Sequence, residues 1–214
     1  MTPMHDSLRI SDLACGIDGV VGKPTSIADR LGTKGEGWVL ELANDIRTES
    51  QYMALGFSPK KITWDLVSEL LKDRVLTWAW RGDNLVVNAG LLQTVNLVTG
   101  NIPTYESSPP TGWFGYSGVG TGTAAPAAGD TDLAIYLGTR LQVSAAYNIN
   151  SNEAKWDTYV SPSTWVATWY ECGNFTAQAT GMGALGSHLL INPTSGYVKG
   201  NVSAILDIQW SLST

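Results

Sequence analysis

The sequence predicts a mainly β protein with an α-containing N-terminal part, in which the C-terminal half forms an antiparallel β-sandwich of jelly-roll type. Three observations support this fold class. Several segments after residue 109 alternate apolar and polar side chains with the period of two that strands require. Turn-forming residues recur there about every ten positions, which is typical of all-β domains. Before residue 109, apolar residues fall instead at helical spacing.

The composition narrows the classes of partner. The chain has 214 residues, a formal net charge of −6 and only 15% charged residues, so it can bury a sizeable core and is not a solvated disordered chain. An acidic chain without a basic run is not expected to bind nucleic acid. No apolar stretch reaches the roughly 18 residues of a membrane span. Cys15 and Cys172 could pair, but buried free thiols are the simpler interpretation.

Residues 1–35 are predicted to be a loop-rich N-terminal arm, because no periodicity persists there. An arm that contacts a neighbouring subunit and a fraying terminus both remain open. Residues 36–108 are predicted to be a helix-containing region. Its first helix is predicted over residues 36–47, where three apolar residues share one helical face. These are Trp38, Leu42 and Ile46.

Two further helices are predicted before residue 109. Ser58 and Pro59 suit the N-cap and first helical position, and apolar residues follow a 3.6-residue period from Ile62 onward. Residues 75–80 predict a strand or a helix end, followed by a turn at Arg81-Gly82-Asp83. Residues 84–99 predict a helix that stops at Gly100 and packs on the sandwich.

Residues 109–214 are predicted to form the sandwich itself. Alternation predicts strands over residues 140–150 and, with apolar side chains on both faces, a central strand over residues 164–171. A short apolar run predicts another strand over residues 187–192. The clearest alternation lies near the end of the chain, where six apolar residues share one face and four polar residues share the other. The apolar residues are Val202, Ala204, Leu206, Ile208, Trp210 and Leu212, and the polar residues are Ser203, Asp207, Gln209 and Ser211.

The sequence contains no recognisable catalytic constellation. No nucleophile motif accompanies His5 or His188, and His188 is predicted to pack or to form hydrogen bonds within a strand. The metal-binding spacings HExxH and CxxC do not occur. Asp130 and Asp132 fit a turn that caps the segment from Leu133 better than a calcium site. We therefore expect no enzyme activity, no cofactor and no metal.

Glycine occupies every second position at Gly118, Gly120 and Gly122. A phosphate-binding loop would need Gly-Lys-Ser/Thr before a helix, whereas Ala-Ala-Pro follows here. A dinucleotide-binding fingerprint would need a surrounding βαβ unit. The pattern instead predicts a strand whose glycines admit neighbouring backbone.

Five short motifs in a fixed order resemble a group of tailed-phage virion proteins. In that group an Asn-Leu-Val-x-Asn-Ala-Gly helix precedes a Gly-alternating strand, an Asp-Thr-x-Leu loop and a Glu-x-Gly-x-Phe strand, and a Lys precedes a final strand ending in Trp. The match covers residues 84–212. Fourteen residues carry it here: Asn84, Asn88, Gly90, Gly118, Gly120, Gly122, Asp130, Leu133, Arg140, Glu171, Gly173, Phe175, Lys199 and Trp210.

Two features depart from the pattern of that group. Residues 137–140, Leu-Gly-Thr-Arg, spread out what is usually an acidic-Val-Gly-Arg run. His188 stands in a strand where the group often has an arginine. The first 80 residues lie outside the pattern.

The resemblance implies a structural component of a bacteriophage virion, assembled in the host cytoplasm. The leading expectation is a capsid decoration or cement protein that forms homo-oligomers and contacts the major capsid protein. A tail, fibre or baseplate protein is the alternative within the same class. A carbohydrate-binding or glycosidase-like sandwich is the alternative from another class, because Glu153, Asp157 and Glu171 accompany many aromatic residues. Trp165 and Trp169 are expected in the core.

Overall fold

The computed structural model describes residues 33–98, 114–150 and 153–212. The protein is mainly β and antiparallel, with a few helices near the N-terminal part, which confirms the predicted fold class. The helices are α1 (Glu49–Ala54), α2 (Trp64–Lys72) and α3 (Asn88–Val98). The strands are β1 (Thr33–Leu42), β2 (Leu76–Val86), β3 (Tyr116–Gly120), β4 (Leu141–Gln142), β5 (Ala145–Asn150), β6 (Glu153–Val160), β7 (Thr168–Trp169), β8 (Glu171–Phe175), β9 (Leu185–Leu190), β10 (Tyr197–Val198) and β11 (Ala204–Leu212).

Nine of the strands within the described ranges form one curled sheet in the order β4-β3-β8-β9-β2-β1-β11-β6-β5. Its two edges are consecutive in the chain, because only Val143 and Ser144 separate β4 from β5. The Val143 amide donates to Gly115 O beside β3 (2.8 Å), and the Ser144 amide donates to Asp157 O in β6 (2.8 Å). The sheet therefore curls until its edges meet, and one continuous sheet takes the place of the two separate sheets of a sandwich.

The inner face of the curled sheet holds the larger apolar cluster. The predicted alternation of the last strand is confirmed, because the side chains of Ala204, Leu206, Ile208 and Trp210 all lie in this cluster. The intervening positions are buried too, since Ile205 and Asp207 have no exposed surface. Both faces of β11 are thus covered, one by the opposite side of the sheet and the other by the N-terminal helices.

Helices α1 and α2, with residues 55–63, cover the outer face of β1, β11 and β6. Trp38 and Leu40 of β1 pack there with Val67 of α2. The predicted second helix is confirmed, but it begins at Trp64 with Thr63 as its N-cap, whose side chain accepts from the Leu66 amide (3.3 Å). The predicted N-cap at Ser58 is wrong, because that side chain is buried against β6.

The helix predicted over residues 36–47 is wrong. These residues belong largely to β1, which pairs with β11 on one side and β2 on the other. The spacing of Trp38 and Leu42 suits a helix, but the run Trp38-Val39-Leu40 has three consecutive buried side chains. Such a run is typical of a strand that is covered on both faces. Of the predicted N-terminal arm, residues 1–35, only 33–35 are described, and they begin β1.

The turn predicted at Arg81-Gly82-Asp83 is wrong as well. Strand β2 continues through these residues, and Gly82 lies opposite Gly37 of β1. The next helix begins at Asn88 instead of Asn84, because residues 84–86 pair with β9. The predicted stop at Gly100 lies outside the described residues. Strands from residues 36–108 thus lie at the centre of the same sheet as strands from residues 109–214.

The central strand predicted over residues 164–171 is wrong. Residues 162–165 form a turn, in which Trp165 adopts a left-handed backbone conformation (φ 50°). Within the predicted range, only β7, which pairs with β10 outside the main sheet, and Glu171, which begins β8, lie in strands. Trp169 is fully buried as expected, whereas Trp165 is only partly buried. The strand predicted over residues 140–150 is divided into β4 and β5 by the bend that closes the sheet.

Candidate functional site

Most residues of the phage-like pattern meet around one long loop, residues 121–140, which joins β3 to β4. The loop is longer than the roughly 12–15 residues of an ordinary connection. Strand β3 pairs with β8, so that Gly118 lies opposite Gly173 and Gly120 lies opposite Glu171. Strand β9 pairs with β8 on its other side and brings His188 opposite Gly173. The register of three strands therefore gathers motif residues that are far apart in sequence.

Glu171 is the centre of this cluster. Its carboxylate has no exposed surface and accepts three backbone hydrogen bonds from the loop, from Gly122 (2.9 Å), Ala134 (3.0 Å) and Ile135 (2.9 Å). His188 Nε2 contacts Glu171 Oε2 at 3.1 Å. Burial alone would raise the pKa of Glu171, but the hydrogen bonds from His188 and the loop amides outweigh it and the pKa is lowered. Glu171 is thus a buried, ionised side chain that holds the loop.

His188 links Glu171 to the loop residue Asp130. Its Nδ1 atom lies 2.6 Å from Asp130 Oδ2, and the imidazole is almost fully buried. Burial lowers the pKa of His188, but the two carboxylates outweigh this effect and leave the pKa above its ordinary value. The hydrogen-bonding role predicted for His188 is confirmed. We call Glu171, His188 and Asp130, with the loop amides they hold, the Glu171 network.

The alternating glycines make room for this network. A Cβ atom on Gly120 would lie 2.3 Å from Ile135 O, and one on Gly122 would lie 2.4 Å from Glu171 Oε1. Neither distance is compatible with a side chain unless the loop moves. The prediction that these glycines admit neighbouring backbone is confirmed at Gly120.

Arg140 fixes the other end of the loop. Its guanidinium is buried 3.6 Å from the centre of the Phe175 ring and pairs with Asp132 (3.0 Å). It also donates to Ala177 O (2.8 Å) and Met182 O (2.7 Å) in the turn after β8. Burial lowers the pKa of Arg140, and Asp132 offsets part of this shift. One arginine therefore ties the loop to β8 and to the segment that follows it.

Several further motif residues support the same region. The Asn88 amide donates to Ala128 O of the loop (2.8 Å). Leu133 packs in a small apolar cluster with Phe175. Gly90 allows α3 to approach β9, since a Cβ there would lie 2.1 Å from Gly186 O.

Asn84 and Gly173 lie at the strand pairs beneath the loop. Asn84 Nδ2 donates to Ser187 Oγ (2.9 Å), which donates to Asn174 Oδ1 (2.8 Å). A Cβ on Gly173 would lie 2.6 Å from Ser187 O. These contacts join β2, β9 and β8 through buried polar groups.

Lys199 and Trp210 do not belong to this cluster. Lys199 Nζ donates to Ser161 O (2.9 Å) and Pro162 O (3.0 Å), and burial lowers its pKa to about 8 despite the attraction of Glu41. Trp210 packs in the inner apolar cluster, with its ring centre 4.9 Å from that of Phe114. Lys199 therefore holds the turn after β6, and Trp210 fills the core.

The Glu171 network is built to hold structure. Both imidazole nitrogens of His188 face carboxylates of the protein itself, and both oxygens of Glu171 are occupied. Neither group has a free position directed at a substrate. Within the described ranges, no three His, Cys, Asp or Glu side chains are arranged to hold a metal ion. Cys172 is a buried free thiol, and burial raises the pKa of its sulfur.

The carboxylates considered for a glycosidase lie in different surroundings. Glu171 belongs to the network above, and Asp157 is buried beneath α1, where Tyr52 donates to it (2.7 Å). Glu153 forms a partly exposed ion pair with Lys61 (2.5 Å). Each of the three therefore has its own partner within the protein.

Sequence reasoning missed a second buried polar cluster, formed by Lys155, Asp157 and Asp207. The alternation over residues 202–212 predicts that Asp207 lies on the polar, solvated face of the last strand, whereas its side chain is fully buried. The sequence offers two signals, the acidic Asp207 in β11 and the Lys155-x-Asp157 pattern in β6. The strand register that brings them together cannot be read from the sequence. The bond between His188 and Asp130 was missed for the same reason.

Comparisons with known proteins give no match: no family model, no characterised protein and no solved structure is significantly similar to this chain. Among the described residues, no helix has both the length and the apolar character needed to cross a membrane.

Proposed function

We propose that the protein is a structural component of a bacteriophage virion, and specifically a capsid decoration or cement protein. One observation carries the proposal: the residues of the phage-like pattern use their polar groups to hold loop 121–140 on the sheet. Glu171 accepts a hydrogen bond from the loop, Arg140 ties the end of the loop to the segment after β8, and the glycines leave room for the loop to approach. The buried charged groups of this scaffold hold a surface loop in position. Such an arrangement suits a protein whose role is to contact other subunits.

The held loop presents an apolar side chain outward. The Ile135 amide donates to Glu171 (2.9 Å) and its carbonyl accepts from Thr121 (2.8 Å), while its side chain is 57% exposed. A fixed backbone reduces the entropy lost when such a residue is buried in a contact. Apolar burial contributes about 25 cal/mol per Å², and capsid symmetry repeats each small contact many times. The loop is therefore suited to a cement contact.

The test is the number and position of copies in purified particles of the phage that encodes the chain. Cryo-electron microscopy gives the position, and quantitative mass spectrometry gives the copy number, with the major capsid protein as the internal reference. Regular coverage of the head at a fixed ratio to that protein is the expected result. A few copies restricted to the tail would instead support the alternative that the chain is a tail, fibre or baseplate protein. Absence from particles would contradict both assignments.

A pair of variants tests whether the loop makes the contact. Ile135→Glu should reduce binding of the purified protein to particles that lack it, because a charge would enter an apolar contact. Met53→Glu is the matched control, since Met53 is also exposed but lies on α1, which covers a different part of the sheet. Equal binding by both variants would show that the contact is elsewhere.

A further inference from the structure

A lysine and two aspartates are buried together between β6 and β11, in a position separate from the Glu171 network. Asp157 lies directly opposite Asp207 in the paired strands. Lys155 points to the same face as Asp157, because residues two apart on a strand share a face. The exposed fractions of Lys155, Asp157 and Asp207 are 0%, 1% and 0%. The three groups are thus removed from water.

The amine contacts both carboxyl groups. Lys155 Nζ lies 3.1 Å from Asp207 Oδ2 and 3.2 Å from Asp157 Oδ1, and it donates to Lys60 O at 2.9 Å. Within the part of the chain that the structure describes, neither of these two carboxyl oxygens has a hydrogen bond of normal geometry. Each is therefore left facing the Lys155 amine.

The two carboxyl groups differ in their surroundings. Tyr52 (2.7 Å) and Ser58 both donate to Asp157 Oδ2, which suits a charged carboxylate. Gln209 donates to Asp207 Oδ1 (2.6 Å). Burial, followed by the neighbouring Asp157 carboxyl, raises the pKa of Asp207 well above its ordinary value. The surroundings of Asp207 therefore favour its neutral form, and its Oδ1 faces an amide donor.

We propose that Lys155 and Asp207 condense into an intramolecular amide bond that joins β6 to β11, with Asp157 as the proton acceptor. The arrangement brings an amine, a carboxyl group and a base into contact, and such proximity lowers the entropic cost of a condensation between them. It also supplies a driving force. Burying an ammonium and a carboxylate carries a desolvation penalty, and the amide product is neutral.

The atoms of this reaction balance. Asp157 takes one proton from the Lys155 ammonium, and the freed Nζ lone pair forms a bond to Cγ of Asp207 while the carbonyl π pair moves to Oδ1, which Gln209 stabilises. When the carbonyl re-forms, the Cγ–Oδ2 bond breaks, and the hydroxyl leaves as water with a second nitrogen proton. One proton remains on the amide nitrogen and one on Asp157. Nothing is oxidised or reduced, and no cofactor takes part.

The experiment is the intact mass of the full wild-type chain, folded, purified and measured in denaturant. The expected main species is lighter than the sequence mass by one water molecule. Proteolysis should then release a branched peptide that contains residues 155 and 207. A wild-type mass equal to the sequence mass overturns the proposal, and so does a water loss that maps to other residues.

Three variants assign the roles. Lys155→Arg, which lacks the nucleophilic amine, and Asp157→Asn, which lacks the base, should both have the full sequence mass. Lys61→Arg is the matched control, because Lys61 also pairs with a carboxylate but is 39% exposed, and it should retain the water loss. Complete cross-linking in Asp157→Asn would overturn the role of Asp157. If a variant does not fold, the wild-type mass still decides the proposal, which does not depend on where the protein acts.

Discussion

Glu171 is ionised without any exposed surface, which requires compensation from its neighbours. Removing a carboxylate from water is costly unless hydrogen bonds replace the water. Three loop amides and His188 provide these bonds. Bonds to a charged acceptor are stronger than neutral ones. At the scale of the residue, the stability of loop 121–140 is therefore coupled to the charge states of Glu171 and His188.

The first prediction concerns pH and His188→Gln. The pKa of His188 is raised above 6.5 on folding. Its contribution to the free energy of unfolding is therefore fully present below pH 6.5 and is lost as the pH rises through the folded-state pKa. The free energy of unfolding of the variant should be lower by about 2 kcal/mol at slightly acidic pH. This difference should shrink at alkaline pH. Urea denaturation across a pH series measures it.

Glu171 sets the lower limit of the pH range in which the network stabilises the fold. Its contribution to the free energy of unfolding is present above its ordinary pKa of 4.5 and is lost as the pH falls through the lowered folded-state pKa. Arg81→Gln is the control, because it removes a charge from a partly exposed pair with Glu36. Its difference from wild type should be small and constant from slightly acidic to alkaline pH. A difference for His188→Gln that grows with rising pH would contradict the assignment.

At the scale of the element, the junction of β3 with loop 121–140 depends on close backbone approach. Gly120 ends β3 with its Cα beside Ile135 O and the Glu171 carboxylate. Glycine is needed here for space, since the contacts are with backbone and with a fixed charged group. The loop returns along β3 through the bond from the Leu137 amide to Val119 O (2.9 Å). The loop and strand therefore act as one element.

The second prediction is that Gly120→Ala lowers the free energy of unfolding by about 1–3 kcal/mol, because the new methyl group forces the loop away from β3. Gly129→Ala is the matched control in the same loop, where an added Cβ meets nothing within 4 Å. That control should be close to neutral. Thermal and urea unfolding of both variants measure the effect. Equal stability of the two would show that the loop adapts and that the packing at Gly120 is not required.

How well the sequence predicts each element depends on how directly local pattern determines it. The period of two in β11 and the helical period of α2 each reflect one apolar stripe that faces a core, and both predictions are confirmed, although the other face of β11 is buried as well. Strand β1 is covered on both faces, so its apolar side chains do not alternate with polar ones. Two of them, Trp38 and Leu42, lie four residues apart, which is also the spacing of one helical face. Residues 164–171 alternate as a strand would, but the turn at Trp165 and the capping by Lys199 override the pattern.

The site could be predicted only in part. Gly120 and Gly122 indicate close approach because glycine in a strand is otherwise unfavourable. What approaches them depends on strand register, which places Glu171 opposite Gly120. The pairing of His188 with Asp130 depends on the path of the loop. Neither is encoded by local spacing.

At the scale of the whole molecule, the sheet is closed by contacts between distant parts of the chain. Strand β1 pairs along its length with β11, so the start and the end of the described chain are adjacent in the sheet. The bend at Val143 and Ser144 brings the two sheet edges together. Within the described residues, this bend places the two end strands of the sheet against each other, and covering strand edges protects a β protein from edge-to-edge aggregation.

Hydrogen exchange in Glu171→Gln tests most directly whether the motif residues hold loop 121–140 in place from within the fold. The variant keeps the shape of the side chain but removes its charge. Glu153→Gln is the matched control, since Glu153 is a partly exposed carboxylate whose side-chain partners are Lys61 and Asn150, outside the loop. We predict that amide exchange in residues 121–140 becomes about tenfold faster in Glu171→Gln alone, equivalent to about 1.4 kcal/mol of local stability, with β1 and β11 unchanged. Unchanged exchange in this loop, or equal acceleration throughout the sheet, would contradict the claim.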